Sequence, residues 1–435
     1  MTGLPLFLLV TLCLASGTLA KKGFGPGEQE WGYVEVRPNA NMFWWLYYTT
    51  ANVTSYYEKP LVIWLQGGPG ASSTAFGNFE ELGPLDVNLK SRNYTWVKDY
   101  NVLFIDNPIG AGFSYANVDS GYAKTNEQIA ADLLQCMKGF LSVLPKFSHV
   151  PVYITTESYG GKMGAEFALV WYQAEKAGTI KSNLKGVVLG DAWISPIDSV
   201  MTWAPFLLAT GMVDTAGYNK IDKSAQLTKR AVDAGNWTSA TMIWSQTESV
   251  IYDVTGSIDF YNILTKMRRS RARYSPIDQL LLKHTLNEGN AMSDDADLDR
   301  LMNGPVKEAL KLPVNNGRNS NTVFNKLMGD FMKPVVNKVE KLLNETDLKV
   351  MVLTGHLDLI VDTPGTLQWV ERMKWKDADA WMKAPRVPLV VGSMIEGYVK
   401  SYRKFSMYWA QRAGHMVPKD NPAGMAQLLK TLTSQ

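Results

Sequence analysis

Between Leu61 and Leu189 the chain alternates short, continuously apolar runs with segments whose apolar residues recur every three or four positions. The runs are Leu61–Leu65, Asn101–Ile105, Val152–Thr155 and Gly186–Leu189, and each breaks into Gly, Pro, Asp or other small and polar residues. Runs of this kind predict short strands buried on both faces. Asn126–Leu144 and Gly161–Glu175 carry the helical period between them. Strands separated by helices predict a mostly parallel central sheet flanked by helices, an α/β architecture. The alternation stops over 196–345, where the pattern is helical, and strand character returns at Leu348–Leu353 and Val387–Val391. The organisation expected is a core over 21–195, a helical cap insertion over 196–345, and the remainder of the core over 346–435.

Residues 1–20 stand apart. Leu4–Leu14 is apolar but too short to cross a bilayer, small residues lead up to Ala20, and Lys21–Lys22 follows. That is the pattern of a cleaved secretory signal, with an uncleaved anchor as the other reading. No later stretch is apolar for long enough to predict a membrane span. The remaining length allows one large domain with an insertion, or two domains.

Composition changes this picture little. With 46% hydrophobic and 20% charged residues the chain is ordinary globular material. Its 44 basic and 41 acidic residues leave a net charge of only +3, which argues against nucleic acid as a partner. The 14 Trp and 19 Tyr are expected on amphipathic surfaces that line a cleft or cover insertions. Asn-x-Ser/Thr sequons at Asn52, Asn93, Asn236 and Asn344 read as surface glycosylation sites behind a secretory leader. Cys13 lies in the leader, so Cys136 is alone in the mature chain and is expected as a buried structural thiol. The run Arg268–Arg273 reads as a solvated loop and a candidate for proteolytic nicking.

The chemistry begins at Ser158. A serine hydroxyl needs a base to take its proton and a sharp turn to hold its oxygen clear of the backbone. Ile154–Gly161 supplies a strand-to-helix turn with small residues around Ser158, although Thr156 stands where the G-x-S-x-G pattern has its first glycine. Of the four histidines, His149 precedes the strand and His284 falls in the insertion, so both read as structural. His356 lies in the loop Thr354–Asp358 after a buried strand, where Asp358 or Asp362 could orient a histidine. His415, in the compact loop Gly414–Pro418, completes the order Ser, Asp, His.

At these residues the chain resembles the serine carboxypeptidase family, and the likeness covers nearly all of the mature chain. Trp64–Ser73 is similar to the family's WLNGGPGCSS, Asp106–Tyr115 to DQPxGxGFSY, Glu157–Gly161 to ESYGG and Gly414–Pro418 to GHMVP. The resemblance implies an α/β-hydrolase fold and an acyl-enzyme mechanism. It implies Ser158 as nucleophile, His415 as base and then acid, and Asp358 rather than Asp362 as the orienting acid. Backbone N–H groups of Gly68 and Tyr159 are implied as the oxyanion hole. Recognition of a free C-terminal carboxylate is implied for Gln66, the N–H of Gly67, Glu157 and Glu81, with Glu80 one residue away as the alternative to Glu81. Close carboxyl groups cannot easily both ionise, so peptide binding should weaken as pH rises above acidic values. Trp64 and Met416 are placed in the substrate pocket, Met416 as an apolar wall or, equally, as core filler. The chain departs from the family at Gln66 for Asn, Ala71 for Cys and Thr156 for Gly, and the first two lie in the carboxylate-recognition loop.

The function expected is release of C-terminal residues from peptides and proteins, favoured at acidic pH, by a protein secreted or delivered to the lysosome. An acyltransferase or esterase on the same scaffold shares the acyl-enzyme step, and a lumenal binding partner with secondary catalysis is the non-enzymatic alternative. The residues suggest no metal constellation, no P-loop and no dinucleotide fingerprint, and covalent serine catalysis needs no cofactor. The oligomeric state is open, a homodimer included.

Overall fold

The computed structural model describes residues 22–266 and 291–434. Residues 1–20, the basic run Arg268–Arg273 and His284 lie outside the described residues. The strands are β1 (Gln29–Arg37), β2 (Ala40–Tyr47), β3 (Leu61–Leu65), β4 (Asn101–Ile105), β5 (Tyr115–Ala116), β6 (Val152–Glu157), β7 (Leu184–Gly190), β8 (Lys349–Gly355), β9 (Arg386–Val391), β10 (Met394–Tyr402) and β11 (Phe405–Ala410). All join one sheet in the order β1-β2-β4-β3-β6-β7-β8-β11-β10-β9, with β5 paired to β2. The six strands from β4 to β11 are parallel neighbours, and antiparallel hairpins extend the sheet at both edges.

The continuous apolar runs follow from burial on both faces. In β3, Leu61, Ile63 and Leu65 enter the core on one face while Val62 and Trp64 enter the core on the other. In β4, Leu103 and Ile105 part from Val102 and Phe104 in the same way, as a period of two dictates. The first face is covered by α1 (Asn126–Val143) and α2 (Tyr159–Lys176). In α1 the stripe Ile129, Leu133, Cys136, Met137 and Phe140 turns inward, and the Thr125 hydroxyl caps its start by accepting the Gln128 N–H at 3.3 Å. Cys136 is a buried member of that stripe, and burial pushes its thiol pKa up. The second face packs under helix Pro422–Thr433 through Met425, Leu428, Leu429 and Leu432.

Between β7 and β8, which are neighbours in the sheet, the described residues are helical, with Pro196–Ala209, Thr215–Asp233, Trp237–Thr255, Asn321–Phe331 and Val336–Glu345 the longer stretches beside Ala291–Leu301. The tryptophans differ from the expectation of cleft surfaces. Trp44 and Trp45 are buried because β2 lies inside the sheet, and Trp171, Trp203, Trp369 and Trp381 are buried on the inward faces of helices. Val387–Val391 forms a strand at the outer edge, where Pro388 cannot donate to a ladder and Val387 and Val390 are exposed.

Candidate active site

Ligand-facing residues of an open parallel sheet gather beyond the carboxyl ends of its strands. Ser158 follows β6, Asp358 follows β8 and His415 follows β11, so the parallel order β6-β7-β8-β11 brings all three to one end. Ser158 has φ 61° and ψ −130°, a conformation that costs an L-residue free energy and that the surroundings must impose. Its N–H donates to Gly190 O at 3.0 Å, and its carbonyl accepts from Gly161 and Trp193 N–H groups at 2.9 Å each. The turn is thereby tied to β7 and to the first turn of α2.

Thr156 occupies the place of a glycine without disorder to this turn. Its hydroxyl donates to Val188 O at 2.7 Å, and its methyl packs against α2 at Gly164. A Cβ on Gly164 would sit 2.5 Å from that methyl, so the glycine in the helix makes room for Thr156 in the strand. Gly67 meets the turn from the other side: a Cβ there would lie 2.5 Å from Ser158 Cβ and 2.9 Å from Tyr159 N. Tyr159 opens α2, where the first N–H groups have no helical acceptor. Its ring is buried against Phe331, and its hydroxyl donates to Asp330 at 2.8 Å. Asp330 also pairs with buried Lys162 at 2.7 Å, which locks α2 to the end of helix Asn321–Phe331.

His415 Nδ1 stands 2.7 Å from Asp358 Oδ2, and both side chains are buried. Asp358 Oδ1 also accepts the Val361 N–H at 3.2 Å. His415 Nε2 is buried with no hydrogen-bond partner among the described residues. Asp362, the competing carboxylate, instead accepts from the Thr202 hydroxyl at 2.8 Å, and burial holds its pKa well above the usual carboxylate range. The backbone of Phe260 and Tyr261, between β7 and β8, fastens both loops: Tyr261 O accepts from His415 N at 2.7 Å, and Phe260 O accepts from Leu359 and Ile360 N at 3.0 Å. The Tyr261 ring meets the imidazole edge-on at 5.0 Å. His356 is exposed and accepts the Arg412 N–H at 2.9 Å, and His149 is exposed as well.

A polar cluster adjoins Ser158. Gln66 Nε2 donates to Glu157 Oε1 at 2.7 Å and to Glu81 Oε1 at 3.1 Å, while its Oε1 accepts the Trp64 indole N–H at 2.7 Å. All four side chains are buried, so Trp64 bears on the cluster through Gln66. The two carboxyl groups are in hydrogen-bond contact. Burial, then the neighbouring Glu81 charge, holds Glu157 well above the ordinary carboxylate range, and burial raises Glu81 too. Glu80 turns away to Lys419 at 3.0 Å. Met416 is half-buried beside His415. Asp106 anchors the loop after Gln66 by accepting from Ser72 Oγ, Thr74 N and Oγ1, and Phe113 N at 2.8–3.0 Å.

The four sequon asparagines are exposed, Asn236 as a helix cap and Asn344 bonded to the backbone of Lys374 and Lys376. Among the described residues no group of His, Cys, Asp and Glu is arranged to hold a metal, and no helix is long and apolar enough to cross a membrane. Sequence reasoning missed Asp191 and Tyr261. Asp191 had a signal, since it is a carboxylate directly after a buried strand, whereas Tyr261 had none.

Known proteins resemble the chain over nearly all of its length. The family described as serine carboxypeptidase matches residues 21–435. The chain is 42% identical to retinoid-inducible serine carboxypeptidase of Mus musculus, covering 94% of this chain and 92% of that one. It is 41% identical to the protein of the same name from Homo sapiens, with 99% and 97% covered. Its fold matches that of Kex1(delta)p, a prohormone-processing carboxypeptidase from Saccharomyces cerevisiae, with a TM-score of 0.79 at 21% identity, covering 94% and 91%. That match speaks to the α/β-hydrolase fold alone. The chain belongs to the serine carboxypeptidase family.

Proposed function

We propose that the protein removes residues one at a time from the free C-termini of peptides and proteins by serine acyl transfer. Ser158 Oγ attacks the last peptide carbonyl as its proton passes to His415 Nε2, with Asp358 accepting from Nδ1 and stabilising the imidazolium. The oxyanion is received by the N–H groups of Gly68 and Tyr159; one such donor is worth on the order of 3 kcal/mol in the transition state. His415 then hands its proton to the leaving amine. Water, activated by the same ring, releases the acyl group and restores Ser158.

The observation that carries the exopeptidase reading is the Gln66–Glu157–Glu81 cluster, whose middle member is the residue before the nucleophile. Gln66, the Gly67 N–H and the two glutamates bind the substrate carboxylate. With one proton between them the glutamates donate; with none they repel. Binding should therefore weaken from acidic to neutral pH. The leader pattern and the exposed sequons support a secreted or lysosomal location, where acidic conditions occur.

The test is direct. A fluorophosphonate should label Ser158, and single residues should be released from peptides with free C-termini but not from their amides. Failure to label Ser158 removes the hydrolytic mechanism. Labelling with turnover of esters but no release of C-terminal residues, or with preferential transfer to an added alcohol, replaces carboxypeptidase action with esterase or acyltransferase action.

A further inference from the structure

Asp191 is a buried carboxyl that the acyl-transfer mechanism does not use. It follows β7, is 1% exposed, and has φ 39°, a strained backbone that the surroundings hold in place. Its N–H donates to Leu353 O at 2.8 Å, and its Oδ1 accepts the Gly355 N–H at 2.7 Å, so it is fixed to β8 just before the loop that carries Asp358. Its carboxyl is also in hydrogen-bond contact with that of Asp358. Two buried carboxyl groups in contact must share a proton. Among the described residues Asp358 receives two N–H donors, from Val361 and His415, whereas Asp191 receives one, from Gly355. The negative charge therefore settles on Asp358 and the proton on Asp191.

We propose that Asp191 is a positioning residue of the triad, a neutral acid that donates its proton in a hydrogen bond to Asp358 and holds that carboxylate toward His415. A site that keeps a carboxylic acid neutral turns it into a donor. A further acidic neighbour agrees, since Asp420 opposes a second charge there. Burial, then the adjacent Asp358, holds the Asp191 pKa well above the usual range.

The inference rests on the triad reading for its kinetic consequence, and its test separates the two. Asp191→Asn retains an oxygen for the Gly355 N–H and an N–H for Asp358. It should keep kcat within about threefold, with the acid limb of the kcat profile unmoved, since no bond is lost. Asp191→Leu loses the donor. Its kcat should fall by about tenfold or more, the worth of one hydrogen bond to a charged group. Its acid limb should move to higher pH, because more of the Asp358 charge then stabilises the imidazolium. An acid limb that moves in Asp191→Asn, or stays put in Asp191→Leu, overturns the proposal. Difference infrared spectra of wild type and Asp191→Asn at neutral pH need no activity: loss of one protonated-carboxyl C=O band is expected, and no loss overturns it. Failure of Ser158 to react with a fluorophosphonate would instead count against the triad and leave the infrared result standing.

Discussion

The side-chain amide of Gln66 lies 2.7 Å from the carboxyl of Glu157, the residue immediately before the strained Ser158. The proposed carboxylate-binding group and the proposed nucleophile are thus neighbours in the chain.

Glu157→Gln tests the proton shared with Glu81. A glutamine donates at every pH, so the increase in KM from acidic to neutral pH should vanish or shrink strongly, while kcat at neutral pH stays near that of the wild type. The check is a set of Michaelis curves across pH for one peptide. An unchanged slope of KM against pH would assign the effect to another group.

The two candidate acids are separable. Asp358→Asn leaves the shape intact but cannot orient or compensate the imidazolium, and should lower kcat by on the order of 10³–10⁴-fold. Asp362→Asn still accepts from Thr202 and should keep kcat within a small factor. Steady-state kinetics of both variants decides it, and the reverse ranking would reassign the triad.

Much of the sheet was legible because its strands are buried on both faces and so are apolar throughout, as Leu61–Leu65 and Asn101–Ile105 are. The hairpin β1–β2 was not: Phe43, Trp44, Trp45 and Tyr47 are as suited to a cleft wall as to a strand, and only pairing with β4 decides. Strand β11, which delivers His415, was missed because Phe405–Ala410 is a short, fully buried run of mixed aromatic, small and Met residues with neither a clean alternation nor an aliphatic stretch. Ser158 was marked by a turn pattern that Thr156 breaks and His415 by its place in the chain order, whereas Asp358 and Asp362 were equal candidates until resemblance favoured one. Asp191 meets Gly355 across 164 residues, a relationship created by the pairing of β7 with β8.

Stability should depend on pH in a defined sense. Glu81, Glu157, Asp191 and Asp362 have pKa values raised by burial, so over the range between their ordinary and raised values the folded state binds more protons than the unfolded state. Their contribution is complete below the ordinary carboxylate range and is lost as pH rises through the raised values. Tm should fall from mildly acidic to neutral pH, and Glu157→Gln should flatten that fall. Scanning calorimetry across pH checks it, and a Tm that rises toward neutrality would contradict it.

The fit of Thr156 to Gly164 predicts coupling. Gly164→Ala brings a methyl 2.5 Å from that of Thr156 and should cost about 1–3 kcal/mol, with reduced kcat as the turn shifts. Adding Thr156→Gly should recover much of the loss in activity. Additive effects in the double-mutant cycle would mean that the two side chains do not compete for one space.

The account turns on recognition of a free carboxylate beside Ser158. The most direct measurement is kcat/KM for one peptide as free acid and as C-terminal amide, followed from acidic to neutral pH. The account predicts a strong preference for the free acid, carried by KM and fading as pH rises. Equal turnover of the two forms, with no change across pH, would contradict it.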